Sequence, residues 1–237
     1  MTDIHSHLLY DVDDGSRSIE ESIELLSRMK QIGFDNVIIT PHYIENSDYN
    51  SKNLEKEKKL KELRKCLSEK SIDINIYIGN EIFINENIIS LIEDGSIETL
   101  NNTNHLLIEL PFHNKILNLE DIIYEIKYNG YIPIIAHPER YSYFQDDYEL
   151  VDKLREDGIL FQCNYSSIIG YYGKNAFKLL KYMLKHKYVD YLGTDIHRLD
   201  RTDVIDNFKK IEKLFIKYAG KDYYQHIKNN CDNLINK

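Results

Sequence analysis

Seven short apolar segments alternate with amphipathic helical segments along the chain, and this alternation predicts an α/β fold built on a mainly parallel sheet. The helix-to-strand connections are short and carry Gly33, Gly130 and Gly158, which read as turns inside one domain spanning 1–237. A length of 237 residues suits a closed or nearly closed barrel with its helices outside. Periodicity by itself does not separate such a barrel from an open, doubly wound sheet.

The first strand leads into Asp3-Ile4-His5-Ser6-His7. Residues two apart in an extended chain share a face, so both imidazoles point the same way, as ligands to one metal ion would. Ser18 and Glu21 have capping-box spacing, which predicts a helix to about residue 32 with Ile19, Ile23, Leu26 and Met29 inward and Gly33 as a left-handed cap. Val37 to Thr40 reads as a buried strand ending in Pro41-His42. The charge run over 52–65, with Leu60, Leu63 and Leu67 as an inner stripe, predicts a helix with a solvated outer face.

The pattern then repeats. A strand over 74–78 delivers Gly79-Asn80-Glu81, a short helix lies near 87–93, and a strand over 105–110 contains Glu109. A helix over 119–128 is followed by a strand over 131–136 that delivers His137-Pro138-Glu139-Arg140. Further segments read as a helix near 148–156, a strand over 159–164, a helix near 174–186, and a strand over 189–194 ending in Asp195-Ile196-His197. Two helices, about 203–218 and 221–235, close the chain.

Composition excludes several function classes. Hydrophobic residues make up 42% and charged residues 29%, and no apolar run approaches the roughly 18 residues of a spanning helix, so membrane insertion is not expected. The amino terminus lacks the basic-then-apolar pattern of an export signal. Cys66, Cys163 and Cys231 are scattered and form no CxxC pair, which argues against disulfides and zinc-thiolate sites and for a reducing cytoplasm. A net charge of −9 disfavours nucleic acid as a partner. The 19 tyrosines accompany an excess of Ile, Asn and Lys, as an AT-biased genome would give, and carry no functional weight.

His5, His7, His42, Glu81, Glu109, His137, Asp195 and His197 all fall at or just beyond the carboxyl ends of strands. In a barrel those ends form one face, where active sites of such folds are built. A strand-end Glu is commonly solvated and a lone His is commonly a rim residue, but the coincidence over six strands points to a metal site. Imidazole and carboxylate without thiolate suit Mn²⁺, Zn²⁺ or Fe. So many candidates exceed the needs of one ion, which predicts two or three ions and phosphate-ester hydrolysis as the chemistry. Arg140 and Arg201 supply forked cations that match phosphate oxygens.

These residues, together with Val12-Asp13-Asp14-Gly15, Thr40-Pro41-His42, Leu107-Ile108-Glu109 and Ala136-His137-Pro138-Glu139-Arg140, resemble the PHP (polymerase and histidinol phosphatase) superfamily. The Val-Asp-Asp-Gly loop, the Ile-Glu-Leu-Pro-Phe stretch and the His-Pro-Glu-Arg-Tyr run are most similar to the bacterial manganese-dependent tyrosine-protein phosphatases of capsular and exopolysaccharide clusters. The resemblance covers residues 3 to about 201 and implies a distorted barrel of seven parallel strands holding three metals, with Mn²⁺ first and Fe or Zn²⁺ as alternatives. It assigns His5, His7, Glu81 and Asp195 to one ion, Glu81, Glu109 and His137 to a second, and Asp14, His42 and His197 to a third.

The resemblance further implies that Arg140 and Arg201 bind phosphate while a metal-bridging hydroxide attacks phosphotyrosine in line, with Arg198 as a rival for Arg201 because the spacing from His197 is one residue short. The implied substrate is the tyrosine-rich tail of a membrane-associated autokinase, with the enzyme itself cytoplasmic; a homo-oligomer is left open. The alternative within the superfamily is a small-molecule phosphatase acting on histidinol phosphate or a related monoester. An exonuclease-type module and a non-catalytic metal-binding regulator are disfavoured by the acidic charge and by the nearly complete ligand set, respectively.

Overall fold

A computed structural model describes residues 1–236; Lys237, the last residue of the expected domain, lies outside them. Its strand segments are β1 (Thr2–Asp3), β2 (Asn36–Ile39), β3 (His42–Tyr43), β4 (Asn75–Ile78), β5 (Glu81–Phe83), β6 (His105–Glu109), β7 (Ile132–Ala136), β8 (Leu160–Asn164) and β9 (Tyr191–Gly193). All pairings are parallel, in the orders β1-β2-β4 and β3-β5-β6-β7-β8-β9. The strands expected at 37–40 and 74–78 correspond to β2 and β4, and each is followed, after Thr40-Pro41 or Gly79-Asn80, by a short further segment, β3 or β5, that was not expected, so seven strand regions yield nine segments among the described residues. Past its last regular pairs the sheet curls back on itself. Asp195 donates its backbone N–H to His5 O (2.9 Å) and His7 to Ile196 O (2.9 Å), joining first and last strands at the carboxyl rim. This settles the sheet as curled into a distorted barrel surrounded by helices.

Two apolar layers follow from the two-residue period of the strands. Val37, Ile39, Leu106, Ile108 and Ile135 belong to the larger cluster that also holds the helices' buried residues. Ile4, Ile38, Leu107, Ile134 and Ala136 form a second cluster with Cys231 and Leu234 from the last helical region. Counting on by twos from the inner layer, Tyr77 leads to Glu81, Leu107 to Glu109, Leu160 to Gln162 and Tyr191 to Asp195. The polar site is thus the next storey of the barrel interior. Gly193 sits on this face because a Cβ there would meet His5 Cβ at 2.5 Å and Gln162 Nε2 at 2.9 Å.

The helix Ile19–Gln31 has the predicted cap, with Ser18 Oγ accepting from Glu21 N at 3.2 Å. Glu21 Oε2 reaches back to the N–H of Arg17 (2.9 Å), one residue before the cap, and its Oε1 accepts from Leu199 N (3.0 Å) in the loop that carries Arg201. Three expectations need correction. The region 203–218 is two helices, Asp203–Asp206 and Phe208–Ala219, broken at Asn207. The final helix, Lys221–Asn233, stops short of residue 235, and a helix Ser142–Asp146 follows Arg140 where the sequence showed no periodicity.

The charged helix Asn53–Glu69 departs from a fully solvated outer face at one place. Lys56 is completely buried, with Nζ 2.5 Å from Asn80 Oδ1, and Asn80 Nδ2 donates to Pro41 O (3.0 Å), so one lysine braces both strand breaks. Burial pushes its ammonium down to about 8, with Glu98 opposing. The unfolded chain therefore holds this proton more tightly, and the contribution of Lys56 to stability rises with pH between about 8 and 10.5. In urea unfolding, the stability of the wild type relative to Lys56→Met should grow by on the order of 3 kcal/mol across that window; a difference that does not change with pH would contradict this account.

Candidate metal centre

The segments at the curled rim enclose a cavity of about 210 Å³ lined by Asp14, His42, Glu81, Glu109, His137, Asp195 and His197, with Arg140 and Arg201. His5 and His7 lie beneath it with no exposed surface. Glu81 is the hub. Its Oε2 stands 3.3 Å from His5 Nε2, 3.2 Å from His7 Nε2 and 3.0 Å from His42 Nδ1, while its Oε1 is 2.8 Å from His137 Nε2. Asp195 Oδ1 closes the first group at 3.6 Å from His5 Nε2 and 3.5 Å from His7 Nε2. Glu109 completes a second group, with Oε1 3.8 Å from His137 Nε2. Asp14 Oδ1 is 3.6 Å from both His42 Nε2 and His197 Nε2, which defines the third.

All nine residues expected as ligands are therefore brought together. Two of them sit closer to a second group than the assignment by resemblance implied. His42 turns Nδ1 to Glu81 and Glu109 (3.9 Å) and Nε2 to Asp14, and ligand-type atoms of His7 gather with those of Asp14, His42 and His197 as well as with those of His5 and Glu81. Of the two rival arginines, Arg201 lines the cavity and Arg198 does not. Arg140 donates to Asp195 Oδ2 (2.7 Å), and its guanidinium lies between the rings of Phe112 (4.7 Å) and Tyr172 (4.5 Å), which holds its fork in place.

Sequence reading assigned no role to the residues behind the cluster. Gln162 Oε1 accepts from His5 Nδ1 (2.7 Å), Asp13 Oδ2 from His7 Nδ1 (2.8 Å), and the Asp195 carbonyl from His197 Nδ1 (2.9 Å). Each acceptor puts the ring proton on Nδ1 and leaves the Nε2 lone pair facing the cluster, as a ligating histidine requires. Asn164 Nδ2 donates to Asp195 Oδ2 (2.7 Å), and Gln162 Nε2 to Asn164 Oδ1 (2.9 Å). Gln162 and Asn164, two apart in an otherwise apolar strand, were the available sign. His137 (φ 33°) and Asp195 (φ 53°) are left-handed, a conformation costing roughly 1–3 kcal/mol for a side chain of this kind and found where a site demands it.

The donor set fits divalent metal ions. Asp14 Oδ1, His42 Nδ1 and Glu81 Oε2 are buried and make no hydrogen bond, and a buried acceptor left unsatisfied costs about 1–3 kcal/mol. Cations held in the separate groups would satisfy them. Burial with the charge of Arg140 pushes His137 down to about 4, and burial with His7 does the same to His197, so both are neutral imidazoles at pH 7. Burial opposes charge on His5, but Glu81 and Asp195 outweigh it and lift the ring to about 9. Burial and the neighbouring Glu81 raise Glu109 to about 8.

Without a cation, His5 and Glu109 thus hold protons at pH 7 that an incoming ion must expel. Apparent affinity for Mn²⁺ should rise from pH 7 to 9, and calorimetry in buffers of different ionisation enthalpy should register net proton release; an affinity flat over that window would contradict the assignment. Glu81→Gln, which removes the hub charge, should lower the bound metal measured by elemental analysis after gel filtration.

Known proteins resemble this chain over most of its length. CapC of Staphylococcus aureus is 35% identical over 98% of this chain and 89% of its own length. The tyrosine-protein phosphatase CpsB of Streptococcus pneumoniae is 31% identical over 84% of each chain, and the tyrosine-protein phosphatase YwqE of Bacillus subtilis 28% identical over 99% of this chain and 91% of its own. A crystal structure from a study of YwqE of B. subtilis and CpsB of S. pneumoniae, described as metal-dependent tyrosine phosphatases, superposes with a TM-score of 0.93 at 26% identity, covering 100% of this chain and 94% of the other. The phosphotriesterase homology protein of Escherichia coli shares the fold alone, with a TM-score of 0.63 at 13% identity over 98% of this chain and 97% of its own. Residues 1–236 match the family described as capsular polysaccharide synthesis, CpsB/CapC, and the chain belongs to that family.

Proposed function

We propose that this chain is a metal-dependent protein-tyrosine phosphatase, a single domain over 1–237 that removes phosphate from the tyrosine-rich tail of a polysaccharide-biosynthesis autokinase. The observation that carries the reading is Glu81, a buried carboxylate set between four imidazoles, with Arg140 and Arg201 lining the cavity above it. His5, His7, Glu81 and Asp195 would hold one ion, Glu81, Glu109 and His137 a second, and Asp14, His42 and His197 a third, most compatibly Mn²⁺. Divalent ions so bound lower the pKa of water towards 7 and neutralise phosphoryl oxygens.

The remaining work falls to the side chains. Arg140, locked between Phe112 and Tyr172, presents its fork to the equatorial phosphate oxygens, and Arg201 approaches from the solvent side of the cavity. Phe112 and Tyr171 on the cavity wall offer apolar faces to a phenyl ring. A phenolate leaving group, with a pKa of about 10, needs less protonation than an alkoxide. A cysteine nucleophile finds no support here: Cys163 is buried, which holds its thiol protonated, and it does not line the cavity. No helix among the described residues is long and apolar enough to cross a membrane, and we place the enzyme in the cytoplasm, meeting its membrane-bound partner at that partner's soluble tail.

Comparison of kcat/KM for a phosphotyrosyl peptide and for histidinol phosphate tests the substrate class; preference for histidinol phosphate would overturn it. Arg140→Ala should lower kcat by about 10²–10³, the usual loss on removing one transition-state donor, with Arg201→Ala milder because that side chain is exposed. Chelation should abolish hydrolysis and added Mn²⁺ restore it.

A further inference from the structure

Two aspartates stand side by side in Val12-Asp13-Asp14-Gly15, and the fold gives them opposite surroundings. Asp14 lines the cavity with Oδ1 making no hydrogen bond. The Asp13 side chain has no exposed surface and does not line the cavity, and both of its oxygens are engaged. Oδ2 accepts from His7 Nδ1 at 2.8 Å and from the backbone N–H of His42 at 2.9 Å, while Oδ1 accepts from Gly15 N at 2.9 Å. One carboxylate therefore ties the end of the first strand region, the start of β3 and the loop carrying Asp14. The loop is drawn in so closely that a Cβ on Gly15 would lie 2.1 Å from His7 O and 2.9 Å from Asp13 Oδ1.

We propose that Asp13 is the positioning residue that assembles the Asp14–His42–His197 metal group against His7. The inference rests on reading those side chains as metal ligands. His5 is backed by a neutral amide, Gln162, whereas His7 is backed by a carboxylate, the stronger partner for holding a ring and its tautomer. Through its other two bonds Asp13 sets the backbone beneath His42 and beside Asp14, so it reaches two of the three ligands of that group. None of its hydrogen bonds goes to Glu109 or His137. An asparagine cannot substitute, because its NH₂ would face one of the three N–H donors whichever way it is turned.

The test reads metal binding rather than hydrolysis. Co²⁺ titration followed by visible absorption, with elemental analysis of Mn²⁺-loaded protein, should show that Asp13→Asn weakens one equivalent about 10–100-fold and the one that His7 shares by less, while the third binds as in the wild type. Asp14→Asn alone should weaken that same equivalent, and the two substitutions together should cost it less than their separate effects combined. Unchanged binding in Asp13→Asn, or equal weakening of every equivalent, would overturn the proposal, as would a wild type that binds no divalent ion. A measurement on the wild type stands independently of how the variant folds: ¹⁵N spectra of histidine-labelled, metal-loaded protein should show His7 protonated on Nδ1, and protonation on Nε2 would overturn the proposal. If metal binds as stated but phosphotyrosyl peptide is not hydrolysed, the substrate reading fails and this inference stands.

Discussion

A carboxylate with no exposed surface, approached by four imidazoles at 2.8–3.3 Å, is the constraint on which the rest of this structure depends. Glu81 cannot be held in such a place by its own strand, because a buried charge without fixed partners costs more than local propensity can supply. The partners come from the ends of three other strand regions. Bringing those ends together is what curls the sheet, and the backbone bonds between His5, His7 and residues 195–196 are the seam where the curl closes.

The same demand accounts for features that would otherwise count as faults. His137 and Asp195 adopt left-handed backbone where each must turn its side chain inward just past a strand. Gly193 and Gly15 give up side chains so that His5 and His7 can be approached closely. Lys56 is buried in a helix whose outer face is otherwise charged and exposed, and it braces the two strand breaks immediately before His42 and Glu81. These are local costs offset by an apolar framework in which helices pack outside the sheet and the chain's last helical region stops the inner layer.

Much of this was legible in the chain. The seven strand regions follow from short apolar runs that alternate with helical periods, and the helix at 19–31 from a cap and a 3.6-residue period. The break at Asn207 and the helix after Arg140 were not legible, since no change of period marks the first and no period the second, and neither was the burial of Lys56, whose type and neighbours read as solvent-facing.

What the sequence determined by itself was which residue types arrive at the strand ends, because the two-residue period that places apolar groups in the barrel interior also carries Glu81, Glu109 and Asp195 onto that face. Only the tertiary structure decided how they are used. That Asp13 backs a histidine while Asp14 faces the cavity, that Arg201 lines the cavity rather than Arg198, and that Gln162 holds His5 across 157 residues of chain all depend on contacts between segments remote in sequence. No local period encodes such contacts, and the nitrogen that each imidazole turns inward is set only when its outer partner is in place.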